Sequence, residues 1–131
     1  MSQSPAAQAM FDDDLASRSL GIELLEAAGG RAVALMRITE RMVNGHKIAH
    51  GGYLFLLADT AFACACNSDG PVTVAAGAEI SFVTSARLGD ELIATAEERT
   101  RYGRNGIYDV TIRRDAEVIA EFRGRSRTIG K

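Results

Sequence analysis

Residues 53–66, Tyr-Leu-Phe-Leu-Leu-Ala-Asp-Thr-Ala-Phe-Ala-Cys-Ala-Cys, constrain the fold more than any other stretch of this chain. At helical spacing they are apolar on nearly every face, interrupted only by Asp59 and Thr60. A helix apolar all round has to be surrounded by protein. The run is shorter than the ~18 residues that a membrane span needs, so it reads as a buried core helix and no membrane is expected as a partner. The rest of the chain must supply the wrapping.

That wrapping reads mostly as strands. Residues 21–28 and 31–39 form a hairpin about Gly29-Gly30, and 72–83, 91–101, 106–114 and 118–128 follow the helix, separated by turn residues. A short amphipathic helix at about 8–20 precedes them, with Asp12, Asp13 and Asp14 expected at its electropositive start. In the last strand Val118, Ala120 and Phe122 should face one way, and Ile119, Glu121, Arg123, Arg125 and Arg127 the other. The order helix, two strands, buried helix, four strands predicts an α+β domain with one helix against an antiparallel sheet of about five to six strands. Strands and helices do not alternate and GxGxxG is absent, which excludes a dinucleotide-binding fold. A chain of 131 residues is the size of one domain, taken as 1–131.

Composition narrows the function. Residues 1–98 carry a net charge of −7 and residues 99–131 a net charge of +5. The basic excess is too small and local for a nucleic-acid binder, but it suits either a compact polyanion or a solvated sheet face. Cys64 and Cys66 are too close in sequence to staple a fold, so a reducing compartment is expected. The start Met1-Ser2-Gln3-Ser4-Pro5 lacks the features of a secretory leader, and the expected location is cytoplasmic.

Two features carry chemistry. Asp59 is a carboxylate midway along an apolar helix, which is costly unless it is paired, hydrogen-bonded or functional. It is either a local structural contact or a general base or nucleophile. The segment Asn44-Gly45-His46-Lys47-Ile48-Ala49-His50-Gly51-Gly52 leads into the helix N-terminus, where free amides favour negative charge. It fits an oxyanion hole, or it is a glycine loop with incidental histidines. His46 and His50 lack the glutamate of HExxH, and no metal site is expected. Neither GxSxG nor a phosphate-binding GxxxxGK[ST] occurs.

Asn44-Gly45-His46, His50-Gly51-Gly52 and Leu57-Ala58-Asp59, continued by Tyr108-Asp109-Val110 and Phe122-Arg123-Gly124, resemble the hotdog-fold acyl-CoA thioesterases, most closely their PaaI branch. The resemblance implies a central helix wrapped by a curved antiparallel sheet. It implies hydrolysis of aromatic acyl-CoA thioesters of phenylacetyl or hydroxyphenylacetyl type, with no cofactor. The catalytic positions fall on Asp59, Gly51, His50 and Asn44. Gly52 and Thr60 fall near the substrate, and Arg101, Arg104, Arg123 and Arg125 are candidates for the coenzyme phosphates. Some relatives carry a serine on the strand after the helix, but here Val74-Ala75-Ala76-Gly77-Ala78 has no hydroxyl. The resemblance also implies dimers and dimers of dimers. A non-catalytic protein of the same fold that binds acyl-CoA or a small aromatic acid is the alternative.

Helix geometry adds one expectation. Gly51 and Asp59 are eight residues apart, about 12 Å along a helix axis. A base and an oxyanion donor for one carbonyl must both come within roughly 3 Å of it. If both act, each site is shared between two chains.

Overall fold

The computed structural model describes residues 3–130; Met1, Ser2 and Lys131, which the leader and charge readings include, lie outside them. The elements run α1 (Pro5–Asp12), α2 (Leu15–Ser19), β1 (Glu23–Ala28), β2 (Arg31–Arg37), a 3-10 turn (Glu40–Met42), α3 (Gly51–Cys66), β3 (Thr73–Phe82), β4 (Glu91–Tyr102), β5 (Asn105–Arg114) and β6 (Glu117–Thr128). The six strands form one antiparallel sheet in the order β1-β2-β4-β5-β6-β3. α3 lies on one face of the sheet and touches all six strands. This is the expected hotdog architecture.

The helix approaches the sheet closely because both surfaces are made of small residues. Ala32, Ala34, Ala94 and Ala96 beneath it, and Ala58, Ala61 and Ala65 on it, are all buried. One larger ring fills a gap made for it. A Cβ on Gly124 would lie 2.7 Å from the Phe62 ring, which packs against Tyr108 and Phe122 with centroids 5.6 and 5.9 Å away.

Two local expectations change. The N-terminal helix is two helices. Ser4 caps the first, its hydroxyl accepting the Ala7 amide at 3.2 Å with Pro5 as first helical residue. α1 therefore starts early, and Asp12 and Asp13 stand at its C-terminal end rather than at an electropositive start. Asp14 alone keeps the predicted setting, as the cap of α2. In β6, Ile119 does not join the exposed face. A register shift at Ile112/Arg113 leaves Ile119 and Ala120 both fully buried. Among the described residues no helix is long and apolar enough to cross a membrane.

Candidate active site

The loop before α3 is organised by Asn44. Its Oδ1 accepts the amides of His46 at 2.9 Å and Ile48 at 3.2 Å, and the main chain closes the loop from Asn44 N–H to Ile48 O at 2.9 Å. Lys47 takes up the turn at φ 62°. The loop delivers His50 to the end of α3 in extended conformation, its N–H donating to Met42 O at 2.8 Å. His50 is exposed and gives the helix no side-chain cap, so the leading amides of Gly51 and Gly52 are left for an incoming acceptor.

The two glycines differ. A Cβ on Gly51 would lie 2.5 Å from Cζ of Phe82, whereas one on Gly52 would meet nothing within 4 Å. Phe82 is an exposed aromatic at the end of β3 that lies over the helix start. Beside it opens a cavity of about 290 Å³ lined by Ile48, Ala49, Gly51, Leu54 and residues 82–86. Sequence reading had no access to Phe82, whose contact with Gly51 arises only when β3 reaches the far edge of the sheet.

Asp59 sits two turns along α3 and is half-buried. Among the described residues its carboxylate makes no hydrogen bond or ion pair, so the structural-contact reading of this residue has no partner to name. Burial, and then the charge of Asp14, hold its carboxyl above the usual carboxylate range. Asp59 does not line the Gly51 cavity of its own chain. Burial pushes the Cys64 and Cys66 thiols up to about 12, which keeps them protonated and unsuited to nucleophilic attack.

The remaining candidates are dispersed. Thr60 is buried and turned toward α2, its hydroxyl 2.7 Å from Ser17 Oγ and 2.9 Å from Leu56 O. Arg123 makes a bidentate pair with Asp109 at 2.7 and 2.9 Å, and Arg125 pairs with Glu79 at 2.8 Å. Both lie with Arg127 on the sheet face turned away from α3, where a polar trough of about 560 Å³ runs across β3–β6. Arg101 reaches Asp69 at 3.4 Å, and Arg104 donates to Thr128 O and Gly130 O at 3.0 and 2.9 Å. The structure thus gathers Gly51, Gly52 and His50 at one helix end, with Asn44 shaping the loop. It sets Asp59 apart and does not bring the arginines to either place.

Residues 46–120 match the model of the Thioesterase superfamily. The acyl-coenzyme A thioesterase PaaI of Escherichia coli is 44% identical over 95% of this chain and 89% of its own length. The solved structure of E. coli PaaI, a protein from the phenylacetic acid degradation operon, superposes with a TM-score of 0.92 at 42% identity, covering 98% of this chain and 97% of that one. A mutant of the phenylacetic acid degradation protein PaaI from Thermus thermophilus matches with a TM-score of 0.85 at 31% identity over 88% of this chain and all of that one. With these relatives, the hotdog sheet and the open helix terminus in one molecule, the chain belongs to the thioesterase superfamily and is a thioester hydrolase.

Proposed function

We propose that this enzyme is an acyl-CoA thioesterase that hydrolyses aromatic acyl-CoA thioesters of phenylacetyl or hydroxyphenylacetyl type to the free acid and coenzyme A, in the cytoplasm. The observation that carries the mechanism is a half-buried carboxylate, without a hydrogen-bond partner among the described residues, on the same helix whose leading amides are open. Asp59 takes a proton from water as the water attacks the thioester carbonyl. The Gly51 amide and the α3 dipole stabilise the oxyanion; as it collapses the C–S bond breaks, and Asp59 returns its proton to the coenzyme sulfur, which leaves as the thiol. His50 borders the oxyanion site, Gly52 leaves room for substrate, and Asn44 fixes the loop that presents them.

Each site is completed by a second chain. β3 is an edge strand with Val74 and Phe82 exposed, and antiparallel pairing of two such edges would set two α3 helices side by side. The Gly51 cavity of one chain then faces Asp59 of the other, and such dimers pair into tetramers. The basic C-terminal third receives the coenzyme phosphates.

The test is hydrolysis of phenylacetyl-CoA by the Asp59→Asn variant, which keeps the shape and removes the charge. We expect kcat to fall by about 10²-fold or more, with the fold intact by circular dichroism. Turnover near that of the wild type removes Asp59 from the mechanism. Wild-type binding of acyl-CoA without turnover would favour a binding protein.

A further inference from the structure

Asp14 does more at the start of α2 than cap it. Its Oδ1 accepts the Ser17 amide at 3.0 Å, and its Oδ2 accepts the Ser17 hydroxyl at 2.6 Å. Ser17 Oγ lies in turn 2.7 Å from Thr60 Oγ1, joining residues 43 positions apart. Ser17 is 1% exposed and Thr60 6%, so this polar chain crosses an otherwise packed seam between α2 and α3.

Counting protons fixes its direction. An ionised Asp14 only accepts, so Ser17 gives its single proton to Asp14 and its oxygen accepts from Thr60. Thr60 shares its one proton between Ser17 and Leu56 O, 2.9 Å away. Neither end needs this link for its local role. The Ser17 amide alone would cap α2, and Leu56 O alone would satisfy Thr60. What the extra contact does is tie α2 to the turn of α3 that carries Asp59.

The charge of Asp14 also reaches that turn, acting on Asp59 and on Cys64. The other charged side chain of α2, Arg18, is exposed and donates to Asp12 O at 3.0 Å. On α3 itself Cys64 and Cys66 stay protonated, and on β5 burial and Glu98 of β4 hold the Tyr108 phenol above its usual range. The exposed acids Asp12 and Asp13 lie at the end of α1 and Glu23 on β1, and Glu26 of β1 pairs with Arg31 of β2. Glu79 of β3, Glu97 of β4 and Arg123 of β6 lie on the far face of the sheet.

Resting on the assignment of Asp59 as catalytic carboxylate, we propose that Asp14 and Ser17 are positioning residues. Through Thr60 they hold the Asp59 turn against α2, and they set a fixed negative charge beside the reacting carboxylate. Two variants separate the two effects. Asp14→Asn removes the charge and keeps the cap, its oxygen accepting the Ser17 amide; its NH2 then donates to the Ser17 hydroxyl, which turns its own proton to Thr60 and leaves that link in place with its direction reversed. Ser17→Ala keeps the charge and cuts the link.

The experiment is the pH profile of kcat/KM for phenylacetyl-CoA hydrolysis by wild type, both variants and Asp59→Asn, with KM and thermal midpoint measured alongside. A negative neighbour makes the base hold its proton to higher pH, so removing it moves the acidic limb to lower pH. On that limb Asp14→Asn, normalised to its plateau, should exceed the wild type by about threefold with KM unchanged. Ser17→Ala should keep the limb and lose kcat by about threefold or more at unchanged KM. An Asp14→Asn limb that superimposes on the wild type, or a wild-type kcat in Ser17→Ala, overturns the proposal. A lowered thermal midpoint with unmoved profiles assigns Asp14 to capping alone and overturns it too. Full activity of Asp59→Asn is a different failure: it removes the catalytic assignment and this inference with it. A dead Asp59→Asn with unmoved variants removes only this inference.

Discussion

Asp59 sets stability against chemistry at the scale of one residue. Its folded proton affinity is raised by burial and by Asp14, so the native state binds protons more tightly than the unfolded chain. Stability attached to this group is complete below the ordinary carboxylate range and is lost as pH rises through its raised value. Asp59→Asn should therefore be more stable than the wild type at neutral pH, with the advantage vanishing as the solution is acidified toward pH 4 and below, about where ordinary carboxyls protonate. Thermal midpoints across that range check it. A variant less stable at neutral pH would mean that the carboxylate has a native partner. Asp59 and Gly51 stand out in the sequence as candidates because each contrasts with its surroundings, an acid in an apolar run and a glycine at a helix start. Asn44 was legible as a residue, but its oxygen is occupied by two loop amides, which makes it an organiser of the loop. The partners Phe82 and Ser17 were not legible, since only the folded chain brings them to Gly51 and Thr60.

Among the elements, the four strands after α3 were readable from alternation and turn residues to within a residue or two. The N-terminal helices were not. Three successive aspartates suggested one electropositive start, whereas Ser4-Pro5 and Asp14 each begin a helix of their own. The glycine in β6 was likewise silent until Phe62 was seen to occupy the place of its side chain. Gly124→Ala would bring a methyl 2.7 Å from that ring, so the helix must lift or the ring must turn. We expect a loss of about 1–3 kcal/mol in chemical denaturation, and an unchanged midpoint would show that the seam has slack. Arg123 and Arg125 of β6 are engaged with Asp109 and Glu79, yet exposed ion pairs are weak and can be exchanged for a phosphate. If they hold the coenzyme, KM for acyl-CoA should rise with ionic strength and on charge reversal of Arg123, Arg125 or Arg127. A KM that ignores both would leave them as sheet-face ion pairs.

On the scale of the whole molecule, the fold class was readable because one helix apolar on every side admits few coverings. The strand order was not readable. α3 carries the chain from β2, beside one edge, to β3 at the other, so β3 ends next to β6 and leaves its outer edge unpaired. That edge and the separation of Gly51 from Asp59 lead to the central claim, a thioesterase site completed by two chains. Its most direct measurement mixes Asp59→Asn with a variant disabled at Gly51, each inactive alone, under conditions in which subunits exchange. Half of the dimers then become mixed, and each mixed dimer holds one intact site of two, so about a quarter of wild-type activity should return. If exchange is demonstrated and the mixture stays inactive, the two groups do not meet across the interface and the shared-site account is wrong.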